Sequence, residues 1–161
     1  MPNNEPSAGT KLIWHYTVKP HFLSIVADGA IKPATAYAPK GAPAVVWFST
    51  NADWEPTAGK VLACADGSPR LLGRDEMHTI GVGPLRFGVA PAVAPHTWHE
   101  FKRVSEIRPK YASDMVAAAV KCQSRPSWWF ATFEPVPRRQ WIAVEQWDGW
   151  QWVTIPTNVV E

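Results

Sequence analysis

Gln140-Trp141-Ile142-Ala143-Val144-Glu145-Gln146-Trp147, then Asp148-Gly149, then Trp150-Gln151-Trp152-Val153-Thr154-Ile155 alternates residue types on both sides of an Asp-Gly pair. That pattern predicts a β-hairpin, because both central positions of a type I′ turn need positive φ. A two-residue turn sets Trp147 opposite Trp150 and Glu145 opposite Trp152. One face then carries Trp141, Ala143, Glu145, Trp147, Trp150 and Trp152, and the other carries Ile142, Val144, Val153 and Ile155 and reads as core. A carboxylate among indoles covers a surface poorly but walls a pocket in which charge matters. The plain alternative is a solvent-facing strand Glu with Trp packed over its stem.

The rest of the chain divides into short elements because its 16 prolines interrupt it. Lys11 to Thr17 alternates as a strand, with Leu12, Trp14 and Tyr16 on one side and Ile13, His15 and Thr17 on the other. A helix is predicted from Lys19 to Asp28, capped by Thr17, with Phe22, Ile25 and Val26 as its apolar stripe and Gly29 as its left-handed stop. Ala44 to Ser49 is a continuous apolar run, expected to be a strand buried on both faces. Asn51 to Arg74 reads as turns with a short helix near Thr57 to Cys64, Leu85 to Val89 as a strand, and Pro91 to His96 as irregular. Tyr111 to Cys122 is the second main helix, and Trp128 to Phe133 is a strand before the hairpin.

At 161 residues, with 46% hydrophobic and 19% charged residues, the chain is expected to be one globular domain over 11–161 behind a loose tail at 1–10. A formal net charge of +2, with the basic residues scattered, does not by itself argue for nucleic acid. Met1 to Thr10 lacks the pattern of a signal peptide, and no long apolar run suits a membrane span. A cytoplasmic monomer without membrane association is therefore expected. Cys64 and Cys122 are read as buried free thiols, neither a disulfide framework nor a nucleophile. Five histidines include one i, i+3 pair, His96 and His99, without a third ligand nearby, so no metal is expected. No Gly-rich phosphate loop of either standard type occurs.

What remains is an order: a strand with His15-Tyr16-Thr17, a helix ending at Asp28-Gly29, a strand ending Trp47-Phe48-Ser49-Thr50-Asn51, and a late strand bearing Glu145. This order resembles the ADP-ribosyltransferase fold, in its His-x-Thr branch of diphtheria-like toxins, poly-ADP-ribose polymerases and DNA-modifying relatives. The resemblance implies an α+β fold of two short, mostly antiparallel sheets enclosing a cleft, with NAD as substrate. It implies that His15 hydrogen-bonds the adenosine ribose, that the Tyr16 backbone, within the His15-Tyr16-Thr17 motif, holds the nicotinamide amide, and that Ser49 with Thr50 supports the nicotinamide and the catalytic carboxylate, Glu145. A carboxylate beside the ribose stabilises the oxocarbenium-like state as the nicotinamide–ribose bond breaks. Trp47, Trp54 or Trp147 are candidates to stack on the nicotinamide, and Arg86, ahead of Arg70 and Arg74, to hold the pyrophosphate.

The sequence departs from that pattern at three places. Ser49-Thr50-Asn51 stands for Ser-Thr-Ser, Ala143 stands two before Glu145, and there is no obvious second tyrosine after Tyr37 to complete the nicotinamide sandwich, so a Trp would replace it. The ADP-ribose acceptor, protein or nucleic acid, is left open, and simple NAD glycohydrolysis is the variant without one. The competing reading is a non-catalytic Trp-rich module that binds carbohydrate, nucleic acid or a partner protein through the hairpin face.

Overall fold

A computed structural model describes residues 11–34 and 41–157. The expected tail at 1–10 and Tyr37 lie outside the described residues. The chain is mixed α+β and its sheets are antiparallel. In chain order the elements are β1 (Ile13–Val18), α1 (Lys19–Asp28), β2 (Ala30–Ile31), β3 (Val46–Ser49), β4 (Val61–Ala63), β5 (Pro69–Leu71), α2 (Arg74–Thr79) and β6 (Pro84–Val89). They continue with β7 (His96–Thr97), α3 (Trp98–Ser105), α4 (Pro109–Cys122), β8 (Trp129–Thr132), β9 (Val136–Pro137), β10 (Ala143–Trp147) and β11 (Trp152–Thr154).

Seven strands form one sheet in the order β11-β10-β6-β1-β3-β8-β7, and two further pairs, β2-β9 and β4-β5, stand apart. The expected pair of sheets is thus one sheet, but β1 and β3 share a single registered pair, Trp14 with Ser49. On one face Ile13, Val46, Phe48, Phe87, Val89 and Val144 form the main core, with Phe22 and Ile25 of α1 laid against it. On the other face α3 and α4 cover Trp129 and Ala131, while Met77 of α2 and Leu72 cover Val18.

α1 has the predicted limits, and Gly29 closes it at φ 70°, where a side chain would be strained. Its N-cap is Val18 without a side-chain bond, not Thr17, because Thr17 is still inside β1 and opposite Leu85. The helix expected near Thr57 to Cys64 is a single 3₁₀ turn, Pro56–Ala58, followed by β4. Gly59 there passes so close to Leu72 that a Cβ would lie 2.1 Å from its carbonyl oxygen. α2 and α3 went unforeseen, although Thr97 and Glu100 carry a capping-box spacing, and Thr97 Oγ1 accepts the Glu100 amide at 3.2 Å.

The hairpin departs from its predicted register. Trp147 stands opposite Trp152 and Glu145 opposite Thr154, across a four-residue connection at 148–151. Only Gly149 takes positive φ, because the Asp148 carboxylate accepts the amides of Trp150 (2.7 Å) and Gln151 (2.8 Å) and forms its own local turn. A slip of two residues preserves faces, so Glu145, Trp147 and Trp152 still share one, while Trp150 stands 86% exposed at the tip. Regular pairing begins only at Ala143, after a 3₁₀ turn at Arg138–Gln140. Trp141 therefore packs on Phe87 in the opposite core, and Ile142, expected inside, is exposed. Val153 is also exposed, and Cys64 and Cys122 are half-buried rather than buried.

Candidate functional site

The seam between β1 and β3 is built by backbone parity. Val18 lies opposite Pro84 and the Lys19 amide donates to the Gly83 carbonyl at 2.8 Å, so Ile13, His15 and Thr17 exchange backbone bonds with β6. Trp14, Tyr16 and Val18 then point their N–H and C=O groups toward β3. Trp14 uses its pair on Ser49, and the next position, Tyr16 opposite Trp47, is not paired. The amide and carbonyl of Tyr16 thus face an opened ladder. Into the same gap the His15 imidazole donates from Nδ1 to the Trp47 carbonyl at 2.9 Å, its ring tilted 5.8 Å from Phe48. Because a carbonyl only accepts, Nδ1 carries the proton and the neutral ring leaves Nε2 as an acceptor.

The local field favours that neutral form. Burial is the main cause that pushes the His15 pKa down; the bond to Trp47 opposes it, and the charges of Lys60 and His21 add to it. Burial and Lys60 likewise lower His21, and burial lowers the Lys60 ammonium. Leu72 links these groups in space: its amide donates to the Lys60 carbonyl at 2.8 Å and its side chain packs on Val18, where β1 passes into α1. Among the described residues no carboxylate pairs with Lys60.

A pH dependence of stability follows. The unfolded imidazole titrates near 6.5, and the folded one takes its proton only at lower pH. The stability held by the neutral ring is whole above pH 6.5 and is lost as pH falls through the window below it. Urea unfolding at about pH 7.5 and about pH 5 is expected to show a smaller loss in His15→Gln than in the parent protein. Equal losses would refute the assignment.

The other face of the sheet holds a closed cluster. Glu145 lies opposite Arg86 and Arg86 opposite Tyr16 across three strands, so all three project to the side away from His15. Arg86 donates to Glu145 Oε1 from Nε at 2.8 Å, with Nη2 2.7 Å from the same oxygen, and from Nη1 to the Ala52 carbonyl. Its guanidinium stacks between Trp14 at 3.7 Å and Trp152 at 4.4 Å. The Trp14 ring can lie there because Gly88 has no Cβ, which would sit 2.7 Å from it. The loop after β3 closes the top: the Tyr16 hydroxyl donates to the Asn51 carbonyl at 2.5 Å and Trp152 Nε1 to the Asp53 carbonyl at 3.0 Å. Burial raises the Tyr16 pKa despite the opposing influence of Arg86, so this phenol stays protonated. Arg74 pairs with Asp53 and stacks 3.5 Å over Trp147.

The expected constellation is therefore split. His15 and Thr17 lie on one face, and Tyr16, Trp47, Ser49, Arg86 and Glu145 project to the other, because strand side chains alternate. Glu145 does not share a cavity with His15. Arg86 is 7% exposed and already bound by Glu145, so it is not an open pyrophosphate ligand, and Arg70 and Arg74 are likewise paired, with Glu76 and Asp53. Trp47 packs among Trp98, Phe101 and Trp129 under α3, and Trp54 against Tyr16. Thr50 is exposed, its amide donated to the Trp128 carbonyl.

Ser49 does support a carboxylate, but it is Glu55. Glu55 is 6% exposed and accepts from Ser49 Oγ at 2.7 Å, from Thr57 Oγ1 at 2.6 Å, from the Thr57 amide, from Ser124 Oγ and from Trp129 Nε1 at 3.3 Å. Neither Glu55 nor Lys60 carries a motif, and only the folding of the loop at 50–60 back onto the sheet brings them into place. Among the described residues no group of three His, Cys, Asp or Glu side chains could hold a metal, and no helix is long and apolar enough to cross a membrane. Compared with protein-family models, curated proteins and solved structures, the chain matches none.

Proposed function

We propose that the protein is an ADP-ribosyltransferase-like binder of NAD, taking the nicotinamide end of the dinucleotide into the seam between β1 and β3. The observation that carries this reading is the unpaired stretch at Tyr16, beside a histidine whose tautomer is set by the Trp47 carbonyl. A carboxamide needs one donor and one acceptor in a row, which the Tyr16 amide and carbonyl offer, and His15 Nε2 accepts from a ribose hydroxyl. Lys60 replaces Arg86 as the counter-charge for the diphosphate, since it has no ion-pair partner among the described residues.

Glycosidic cleavage needs a carboxylate beside the ribose. Glu145 lies on the sheet face opposite His15 and is held by Arg86, so binding is better supported than turnover. The Trp-platform alternative has lost three of its indoles to packing: Trp141 on Phe87, and Trp147 and Trp152 on each other and under Arg74 and Arg86.

Calorimetric titration with NAD tests the reading, with free nicotinamide followed in parallel. His15→Ala and Lys60→Gln are each expected to weaken NAD binding by about tenfold, the value of one good polar contact of about 1.4 kcal/mol. NAD binding absent from the parent protein, or unchanged in both variants, overturns the seam as a nucleotide site. Nicotinamide release that persists in Glu145→Gln removes Glu145 from the chemistry and leaves the binding site standing.

A further inference from the structure

We propose that the groove between α3 and α4 docks an acidic, amphipathic segment of a partner protein. The two helices diverge from the turn at Glu106, held in the left-handed region at φ 53°, and enclose a space of about 790 Å³. Trp98, Ile107, Ala112 and Val116 make an apolar floor, and His99, Lys102 and Arg103 stand along one rim. Among the described residues no carboxylate lines it. Of the nearby acids, Glu100 is turned toward His96 at 3.6 Å and Asp114 toward Lys110 at 3.0 Å, while Glu106 is exposed at the turn and is not among the residues that line the groove. Lys102 and Arg103 are thus a local excess of positive charge beside apolar surface, in a chain whose whole net charge is only +2.

The combination selects the occupant. A cationic rim over an apolar floor complements a helix or extended segment that presents Asp or Glu beside Leu-type side chains. A nucleic acid fits less well. Its bases want exposed stacking faces, whereas Trp98 is 9% exposed and packs against Phe101 and Trp129, and its backbone wants a longer track of cations. The groove is independent of the NAD reading, because neither the seam nor the Arg86 cluster contributes a residue to it.

A fluorescein-labelled peptide of about twelve residues, built from Glu and Leu on two helical faces, is the probe, with its Gln-for-Glu analogue and a single-stranded oligothymidine as controls. Fluorescence anisotropy is expected to show binding of the acidic peptide in the micromolar range, weakened by added salt and at least about tenfold weaker for the Gln analogue. The charge-reversed protein K102E/R103E is expected to lose at least about tenfold in affinity. Ala112→Trp, which fills the open groove and leaves the charge in place, is expected to abolish binding and serves if the charge-reversed protein does not fold. No binding to the parent protein overturns the proposal, as does equal binding by both variants, or oligothymidine bound in preference to the peptide.

Discussion

Arg86→Ala is expected to cost about 3–5 kcal/mol of stability, the range for removing one partner of a buried ion pair. The side chains are 8% and 17% exposed, so the Glu145 carboxylate left behind would lie largely out of water without a counter-ion. The Ala52 carbonyl would lose its donor, and the slot between Trp14 and Trp152 would empty of the cation that both rings face. For a chain of this length that loss lowers Tm by roughly 6–20 °C. Glu145→Ala is expected to destabilise comparably, since it strands the guanidinium. Exchanging both for apolar side chains of similar volume, as in Arg86→Met with Glu145→Leu, is expected to recover most of the loss, because no lone charge then remains. Urea unfolding of the three proteins measures this. A single variant within about 1 kcal/mol of the parent would mean that the pair is solvated in solution.

Glu55→Ala ranks second, at about 2–4 kcal/mol. The carboxylate is a hub without a cation: it ties the end of β3 through Ser49, the 3₁₀ turn through Thr57, the segment after α4 through Ser124 and the start of β8 through Trp129. Alanine leaves those donors buried with fewer partners, although Trp129 Nε1 keeps Ser124 Oγ at 3.2 Å. Glu55→Gln is expected to cost only about half as much. Its carbonyl can take the Oε1 position, which serves Thr57, Ser124 and Trp129, and its amide can face Ser49, whose hydroxyl turns to accept. The order alanine, then glutamine, then parent in urea midpoint is the check. Glutamine as damaging as alanine would show that the negative charge itself, rather than the acceptor geometry, holds the four segments together.

The strands β1, β3, β6, β8 and β10 and the helices α1 and α4 were legible as local patterns, because alternation and the 3.6-residue stripe report which side of an element meets the core. Asp148-Gly149 signalled a hairpin but not its register, since an Asp carboxylate that caps two amides competes with the type I′ geometry. The candidate site was legible in part: His15-Tyr16 lies at the seam, while Glu145 shares a face with Tyr16 and not with His15. Order along the chain does not say which strand lies beside β1. β6 intervenes, and its Arg86 meets Glu145 first.

Sequence by itself determined which side chains travel together: His15 with Ile13 and Thr17, Tyr16 with Trp14, Glu145 with Trp147, since period two binds each strand's alternate residues to one side. Tertiary structure alone decided which of those sets meet. Strand order put Arg86 beside Glu145, the loop after β3 buried Glu55 under Ser49, and a ladder that stops at Trp14–Ser49 opened the edge of Tyr16. These are pairings between residues tens of positions apart, and no local preference along the chain encodes a neighbour at that distance.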